Sequence, residues 1–308
     1  MRVTSRMSTD NAVRHMSESL EQLHKLQEKG ASGKNFNYAS ENPTGASLSL
    51  NLRSTLKTSQ AYLDTASLTY DWMSASEFAL QQLEDLAIRT KNLTLAGLND
   101  TLGADERISA LAVEVDAILN EAVDVANTNH KGQYIFSGFQ INTAPIELQT
   151  YDPADPQYDP SNPGKQHAVY LGDAGVMQRS LGPSQSITMN FTADNEIRPF
   201  LDALIDIRDA LNNNDTTALR TALGVMETTV DGVDKLRTSN GARQRQVSSA
   251  TEYLEKTKIE LSSLLSQNDD ANMAETISLM RNQEITYQAV LEVGSRAISA
   301  LNLFEYLR

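Results

Sequence analysis

The chain has 308 residues, 26 Lys plus Arg against 40 Asp plus Glu, a formal charge of −14 and no cysteine. That charge repels nucleic acid, and the missing thiols exclude disulfides, cysteine-ligated zinc, iron–sulfur clusters and thiol nucleophiles. No run approaches the ~18 consecutive apolar residues of a spanning helix, and Arg2, Arg6, Asp10, Arg14 and Glu18 break up the first twenty residues where a secretory leader would be apolar.

Taken in chain order, Val13, Met16, Leu20, Leu23 and Gln27 recur at spacings of three and four, which predicts a helix that packs on partner helices, with its cap among Ser8, Thr9 and Asp10. A second helix is predicted to start after Asn42-Pro43-Thr44 and to run to Gly97, with Leu52, Leu56, Leu63, Ala66, Tyr70, Met73 and Leu80 on one stripe. At ~1.5 Å per residue it is about 75 Å long. A third, after Gly103-Ala104-Asp105, carries Ile108, Leu111, Val115, Ile118, Ala122 and Val125, stops near Gly132 and should pair antiparallel with the second.

Beyond Gly132 the period changes. Seven of the eight prolines lie between Pro145 and Pro199, and a ring that removes a backbone donor and clashes in a helix rules out long helices there. The β-prone runs Gln133–Phe136, His167–Leu171 and Ser186–Phe191 predict strands, and the Asp-Pro pairs between Tyr151 and Pro160 predict exposed turns. A short helix follows with Phe200, Leu204, Ile207 and Leu211, closed by Asn212-Asn213-Asn214. The next is registered by Leu219, Leu223, Met226, Val230 and Val233 and continues through Val247, Leu254 and Leu261 towards Asp269-Asp270, against the helix-weakening Gly224, Gly232 and Gly241. The last carries Ile277, Met280, Tyr287, Leu291, Ile298 and Leu301 almost to Arg308. The expected fold is mainly α: a long antiparallel helical bundle with coiled-coil terminal helices and a small β-rich insert domain. The expected domains are a terminal pair, 1–42 with 268–308, a bundle, 43–139 with 198–267, and the insert, 140–197.

A helix of about twenty residues is marginal alone in water, so both terminal seams need partners. Periodicity leaves two readings open. Either the terminal helices pair and keep their remaining apolar surface for neighbouring subunits, or both dock on the bundle core.

No catalytic, cofactor or metal site emerges. His15, His24, His130 and His167 form no His-x-x-x-His pair, and Asp152, Asp155 and Asp159 lack the alternation and central glycine of a calcium loop. Ser54-Thr55-Leu56-Lys57 lies inside a predicted helix without the companion motifs of a Ser-x-x-Lys enzyme. Gly33-Lys34 and Gly164-Lys165 lack the earlier glycine of a phosphate loop, and Trp72 reads as packing. Nothing in these motifs recommends an enzyme, and the chain is expected not to be one.

Three stretches carry a resemblance. Met1-Arg2-Val3-Thr4 with Met7, Leu26-Gln27, Ser32-Gly33-Lys34 and Ala39-Ser40-Glu41-Asn42-Pro43 is the first. The second is Ala126-Asn127-Thr128-Asn129 followed by Gly132-Gln133-Tyr134-Ile135-Phe136-Ser137-Gly138, and the third runs from Asp270-Ala271-Asn272-Met273-Ala274-Glu275 through Tyr287-Gln288-Ala289-Val290-Leu291 to Leu303-Phe304-Glu305-Tyr306-Leu307-Arg308. In this order they resemble the bacterial flagellin superfamily, and within it the hook–filament junction proteins. Glu41-Asn42 departs from the two aspartates frequent in the family but keeps a polar capping segment.

The resemblance implies a structural protein, exported through the flagellar apparatus without a cleavable signal peptide. It would self-assemble as a homo-oligomeric ring at the extracellular hook–filament junction of the flagellum. Its implied partners are hook-associated protein 1, flagellin and a flagellar export chaperone, with no nucleic acid and no membrane insertion. The implied assembly seam is Val13, Met16, Leu20, Leu23, Ile277, Met280, Tyr287, Leu291, Ile298 and Leu301. The alternatives are a minor flagellin that forms filament, or a secreted helical adhesin that binds through the insert.

Overall fold

The computed structural model describes residues 5–99, 103–156, 158 and 164–306. Contacts divide the chain into two compact units, Met1–Ser59 with Lys256–Arg308, and Gln60–Glu255. The expected three-part division instead follows the helix breaks and the proline-rich stretch. Seven α-helices account for most of the described residues: α1 (Ser5–Ser32), α2 (Pro43–Gly97), α3 (Ala104–Glu106), α4 (Val113–Ala126), α5 (Ile197–Asn212), α6 (Thr216–Asp269) and α7 (Met273–Tyr306). A π-helical turn, Arg107–Ala112, joins α3 to α4. Both α2 and α6 contribute residues to each unit.

Helix ends follow local chemistry. Asn42 Oδ1 accepts the Gly45 amide at 2.9 Å and Pro43 takes the first helical position, so α2 begins two residues earlier than the sequence suggests. Asp215 Oδ1 caps α6 through the amides of Thr217 and Ala218 at 2.9 and 3.0 Å. The expected cap of α1 is not one, because Ser8, Thr9 and Asp10 lie inside a helix already formed at Ser5. Likewise α4 stops at Ala126, short of Gly132. There Asn127 turns its amide sideways, its Nδ2 donating to Ile146 O and its Oδ1 accepting from Ile146 N, both at 2.9 Å, and this reciprocal pair replaces another helical turn.

Within Gln60–Glu255, α2 and α6 run antiparallel. Asn240 Nδ2 donates to Met73 O at 2.9 Å, Arg237 Nε to Glu77 at 2.7 Å, and Lys91 pairs with Glu227 at 2.7 Å. α4 returns along α2, tied by Arg89 and Glu114 at 2.7 Å, and α5 packs on α4. Met73, Leu80, Ile118, Leu119, Phe136 and Phe200 are fully buried in one cluster. On the α2 stripe Tyr70 is exposed and Thr69 takes its inward place, its hydroxyl satisfied by Thr65 O at 2.7 Å. The side chain of Ile108 lies outside the described ones.

The insert consists of three antiparallel hairpins: β1 (Asn129–His130) with β2 (Gln133–Tyr134), β3 (Ile146–Thr150) with β4 (Gln166–Tyr170), and β5 (Gln178–Gly182) with β6 (Gln185–Thr188). The first turns on Lys131 and Gly132, at φ 52° and 85°, the two positive values a tight two-residue hairpin requires. The strand expected through Phe136 ends at Tyr134, because Ile135 and Phe136 turn into the helical core. The strand expected over Ser186–Phe191 is Gln185–Thr188, and β3 and β5 were not expected at all. Ile146, Ala168, Leu181 and Ile187 join the same buried cluster as Phe200, which puts the hairpins in one unit with α4 and α5.

Candidate assembly surface

In the unit formed by the chain ends, α1 and α7 are antiparallel. Gln283 Nε2 donates to Ser19 O at 3.1 Å and to Ser19 Oγ at 3.0 Å, and a methyl at Gly30 would sit 3.9 Å from Thr276 Cγ2. Burial marks the mutual seam. On α1 the covered or half-covered positions include Ala12, Met16, Ser19, Leu23, Leu26 and Gly30, and on α7 Thr276, Met280, Gln283, Tyr287, Val290 and Gly294. Both sets run at alternating spacings of four and three, the coiled-coil period, but small and polar residues hold many of the places. The backbones can therefore approach while little apolar area is sealed.

The sequence-predicted seam divides over this geometry. Leu23 is buried, Met16, Leu20, Met280 and Tyr287 are half-buried, and Val13, Ile277 and Leu291 are exposed. The side chains of Ile298 and Leu301 lie outside the described ones. Leu279, Ile285 and Val293 are also exposed on α7. Ser19, Thr276 and Gln283 were missed because a search for apolar periodicity passes over polar residues. Their shared four-and-three spacing with Met16, Leu23, Met280 and Tyr287 is the signal that could have found them.

A clasp closes this unit where the loop after α1 meets the α6–α7 turn. Asn35 N donates to Asp269 O at 2.6 Å, Ala271 N to Gly33 O at 2.9 Å, and Lys34 Nζ reaches Asp270 at 2.6 Å. Asp269 is buried. Its Oδ2 accepts Arg53 Nη2 at 2.7 Å, while Ser49 Oγ and Asn268 Nδ2 donate to its Oδ1. Asn268 Nδ2 also donates to Gly45 O at 2.9 Å. Burial pushes the Asp269 carboxyl up, but the donors Ser49, Arg53 and Asn268 outweigh it and hold the group below the usual carboxylate range. Lys34 and Ser266 lower Asp270 in the same way. On the loop, Glu41 accepts the Asn37 amide at 2.9 Å. Two of the stretches that carry the resemblance, 32–43 and 270–275, thus meet in space.

The remaining stretch, 126–138, shapes the insert. Tyr170 donates its hydroxyl to Asp173 O at 2.8 Å and Phe136 O at 3.2 Å, and burial, then the charges of Asp173 and Asp194, push it up to about 12, which keeps the donor protonated. The four histidines are dispersed: His15 lies 3.3 Å from Glu18, His24 is exposed, His130 meets Trp72 edge-on, and His167 stacks on Tyr151 at 4.1 Å. Asp152 accepts the Ala154 amide at 2.9 Å as a turn. Among the described residues no group of three or more His, Asp or Glu could hold a metal ion, and no helix is long and apolar enough to cross a membrane.

Long paired helices around a clasped loop, with a hairpin insert, make a mainly α fold that is shared with solved flagellar hook-associated proteins. Residues 3–141 match the bacterial flagellin N-terminal helical region. The chain is also similar to curated flagellar hook-associated proteins. Flagellar hook-associated protein 3 of Escherichia coli is 23% identical over 195 residues, 63% of this chain and 56% of that protein. FlgL of Bacillus cereus shares the fold, with a TM-score of 0.58 at 21% identity over 70% of this chain and 99% of that one. Polar flagellin F of Vibrio parahaemolyticus is 22% identical over 360 residues, 95% of each chain. The matched stretch spans about half the length of the curated hook-associated relatives.

Proposed function

We propose that the chain is a non-enzymatic structural protein of the bacterial flagellum that joins hook to filament. In this reading identical copies form a ring outside the cell, with hook-associated protein 1 on one side and flagellin on the other, after export with the help of a chaperone and without a cleaved leader. The observation that carries it is the α1–α7 pair, whose mutual seam leaves Val13, Ile277 and Leu291 uncovered. Exposed apolar rows on a helix pair with so small a sealed seam are what neighbouring subunits would bury. The ten-residue seam, Ile298 and Leu301 included, and the three-part division into ends, bundle and insert belong to this reading.

A minor flagellin is the second reading, favoured by the polar flagellin that matches nearly the whole chain. Immunogold microscopy of intact flagella with antibody to residues 141–196 separates the two. Label confined to the hook–filament boundary is the expected result. Label along the filament would replace the junction reading with a flagellin, and label absent from the flagella of expressing cells would leave the secreted adhesin.

A further inference from the structure

One exposed side chain is held in place with unusual care. Phe139 is 61% exposed, yet its amide donates to Asp173 Oδ1 at 2.7 Å, and the same oxygen accepts Gly175 N at 2.8 Å. The preceding Gly138 adopts φ 71°, and any side chain there would strike Asp173. Folding energy is thus committed to fixing an apolar ring in water, where it gains nothing in the isolated chain. Around it, Leu68 and Val176, 63% and 54% exposed, line the same cleft of about 800 Å³, floored by Trp72. The rim is basic. Lys131 is paired only with exposed Asp71, at 3.0 Å, and Arg179, whose Nε rests on the Met189 sulfur, makes no ion pair among the described residues.

A complement lies on the other flank of α2. A groove of about 320 Å³ between α2 and α6 is lined by Ile88, 52% exposed, Met226 and Val230, and is rimmed by Glu227 and Asp231. Lys91 neutralises Glu227 at 2.7 Å, whereas Asp231 makes no ion pair among the described residues and adds to the negative field that, after burial and Glu84, raises Asp234. Leu68 and Ile88 are twenty residues apart, which at ~100° per residue places them about 200° apart around the helix. The basic apolar patch and the acidic apolar groove therefore face opposite ways, as a head-to-tail contact requires.

We propose that Phe139 and Arg179 of one copy dock into the Ile88–Val230 groove beside Asp231 of a second copy. The ring fills the groove and the guanidinium meets the unpaired carboxylate. Repetition gives a closed ring or a staggered turn according to the tilt between copies. The contact rests on self-association, which is part of the reading above, but not on the flagellar location.

The absence of cysteine makes the test direct. Full-length chains carrying Gln140→Cys, an exposed position next to the docking ring, and Asn92→Cys, an exposed position one turn beyond Ile88, keep both docking residues. They are mixed at about 1 mM, where even a millimolar contact is half occupied, and treated with a short bis-maleimide. The mixture should yield a heterodimer about tenfold above either chain alone. Adding Arg179→Glu to the Gln140→Cys chain should lower the yield about tenfold, since like charges oppose docking, and Asp231→Arg in the Asn92→Cys chain should restore it. The proposal is overturned by a yield no greater than that of Gln140→Cys with Ile259→Cys, an exposed position outside the groove, or by Gln140→Cys linking to itself as strongly. Either failure would leave the junction reading to the label on intact flagella, and label off the flagellum would leave this contact standing.

Discussion

The two units hold themselves together in different ways. Gln60–Glu255 buries Met73, Leu80, Leu119, Phe136 and Phe200 completely, drawing them from α2, α4, α5 and the insert into one cluster. The unit of the chain ends closes on Ser19, Leu23, Ser49, Asp269 and Thr276, mostly polar groups joined by directed hydrogen bonds. Apolar burial contributes ~25 cal/mol per Å² and needs no partner of exact geometry, whereas a hydrogen bond yields roughly 1 kcal/mol net and depends on alignment. The first unit is built to be stable in isolation. The second is registered more than it is stabilised, a design that leaves its apolar rows uncovered.

The largest effect should come from breaking the first unit. Phe200→Ala removes a fully buried ring from the centre of that cluster and should cost about 3–5 kcal/mol in chemical denaturation. Leu23→Ala, the corresponding truncation on α1, should leave the main transition where it was. A shared loss of cooperativity in both variants would show that the units do not differ as described.

Next in size is Asp269→Ala. It removes the buried acceptor of Arg53 and leaves Ser49 and Asn268 with Gly45 O as their acceptor, at a cost of roughly 1–3 kcal/mol to the clasp. Limited proteolysis should then cut between Gly33 and Asn42 while Gln60–Glu255 stays intact. Asp269→Asn should fall between wild type and alanine, because it keeps the shape but not the charge.

The clasp also shows what the sequence could reveal. The helices of the first unit were legible because Val115, Ile118, Ala122, Phe200, Leu204 and Leu211 repeat on one face and are buried as that repeat demands. Pro43 and Asn212-Asn213-Asn214 marked helix boundaries, and the prolines marked the insert. β5 was hidden because Gln178, Arg179 and Ser180 give no apolar alternation, and β3 because its alternation of Ile146 and Leu148 with Glu147 and Gln149 lasts only five residues; both strands are fixed by hairpin pairing, with Ile146 and Leu181 as their buried apolar side chains. Asp269 carried no local signal, since its partners Ser49 and Arg53 lie more than 200 residues earlier. The mutual α1–α7 seam was half legible. Its apolar members stood out, whereas Ser19, Thr276 and Gln283 became visible only when the two helices were laid together.

Acid should separate the units by sign. Asp269 has a folded pKa below its unfolded value near ~3.9, so its contribution is complete above that value and is lost as the pH falls through the folded one. Asp202, in the other unit, is raised by burial against the opposing Ala168 amide and Arg198. Its ionised form costs stability at neutral pH, and that cost is relieved as the pH drops through the folded pKa towards ~3.9. Hydrogen exchange, corrected for its intrinsic pH dependence, should show the Ala271 amide, bonded to Gly33 O, losing protection below about pH 4 before the Ala193 amide, bonded to Phe136 O, does. The reverse order would mean that Asp269 does not govern the clasp.

The smallest effect on stability should accompany the largest on assembly. Leu291 is exposed on α7, so Leu291→Glu should change the melting of the isolated chain by less than about 0.5 kcal/mol. If its row is what neighbouring subunits cover, a carboxylate there would have to be desolvated in every contact, and incorporation into flagella should be abolished. Leu279→Glu supplies the contrast. Leu279 is also exposed but sits two positions from Ile277, about 200° around the helix and away from the Ile277–Leu291 row. Incorporation of the Leu279 variant with exclusion of the Leu291 variant would locate the buried face on α7. Incorporation of both would mean that the outer row of α7 is not the assembly surface, and that the seam already closed by Ser19, Leu23 and Thr276 is all the terminal pair contributes.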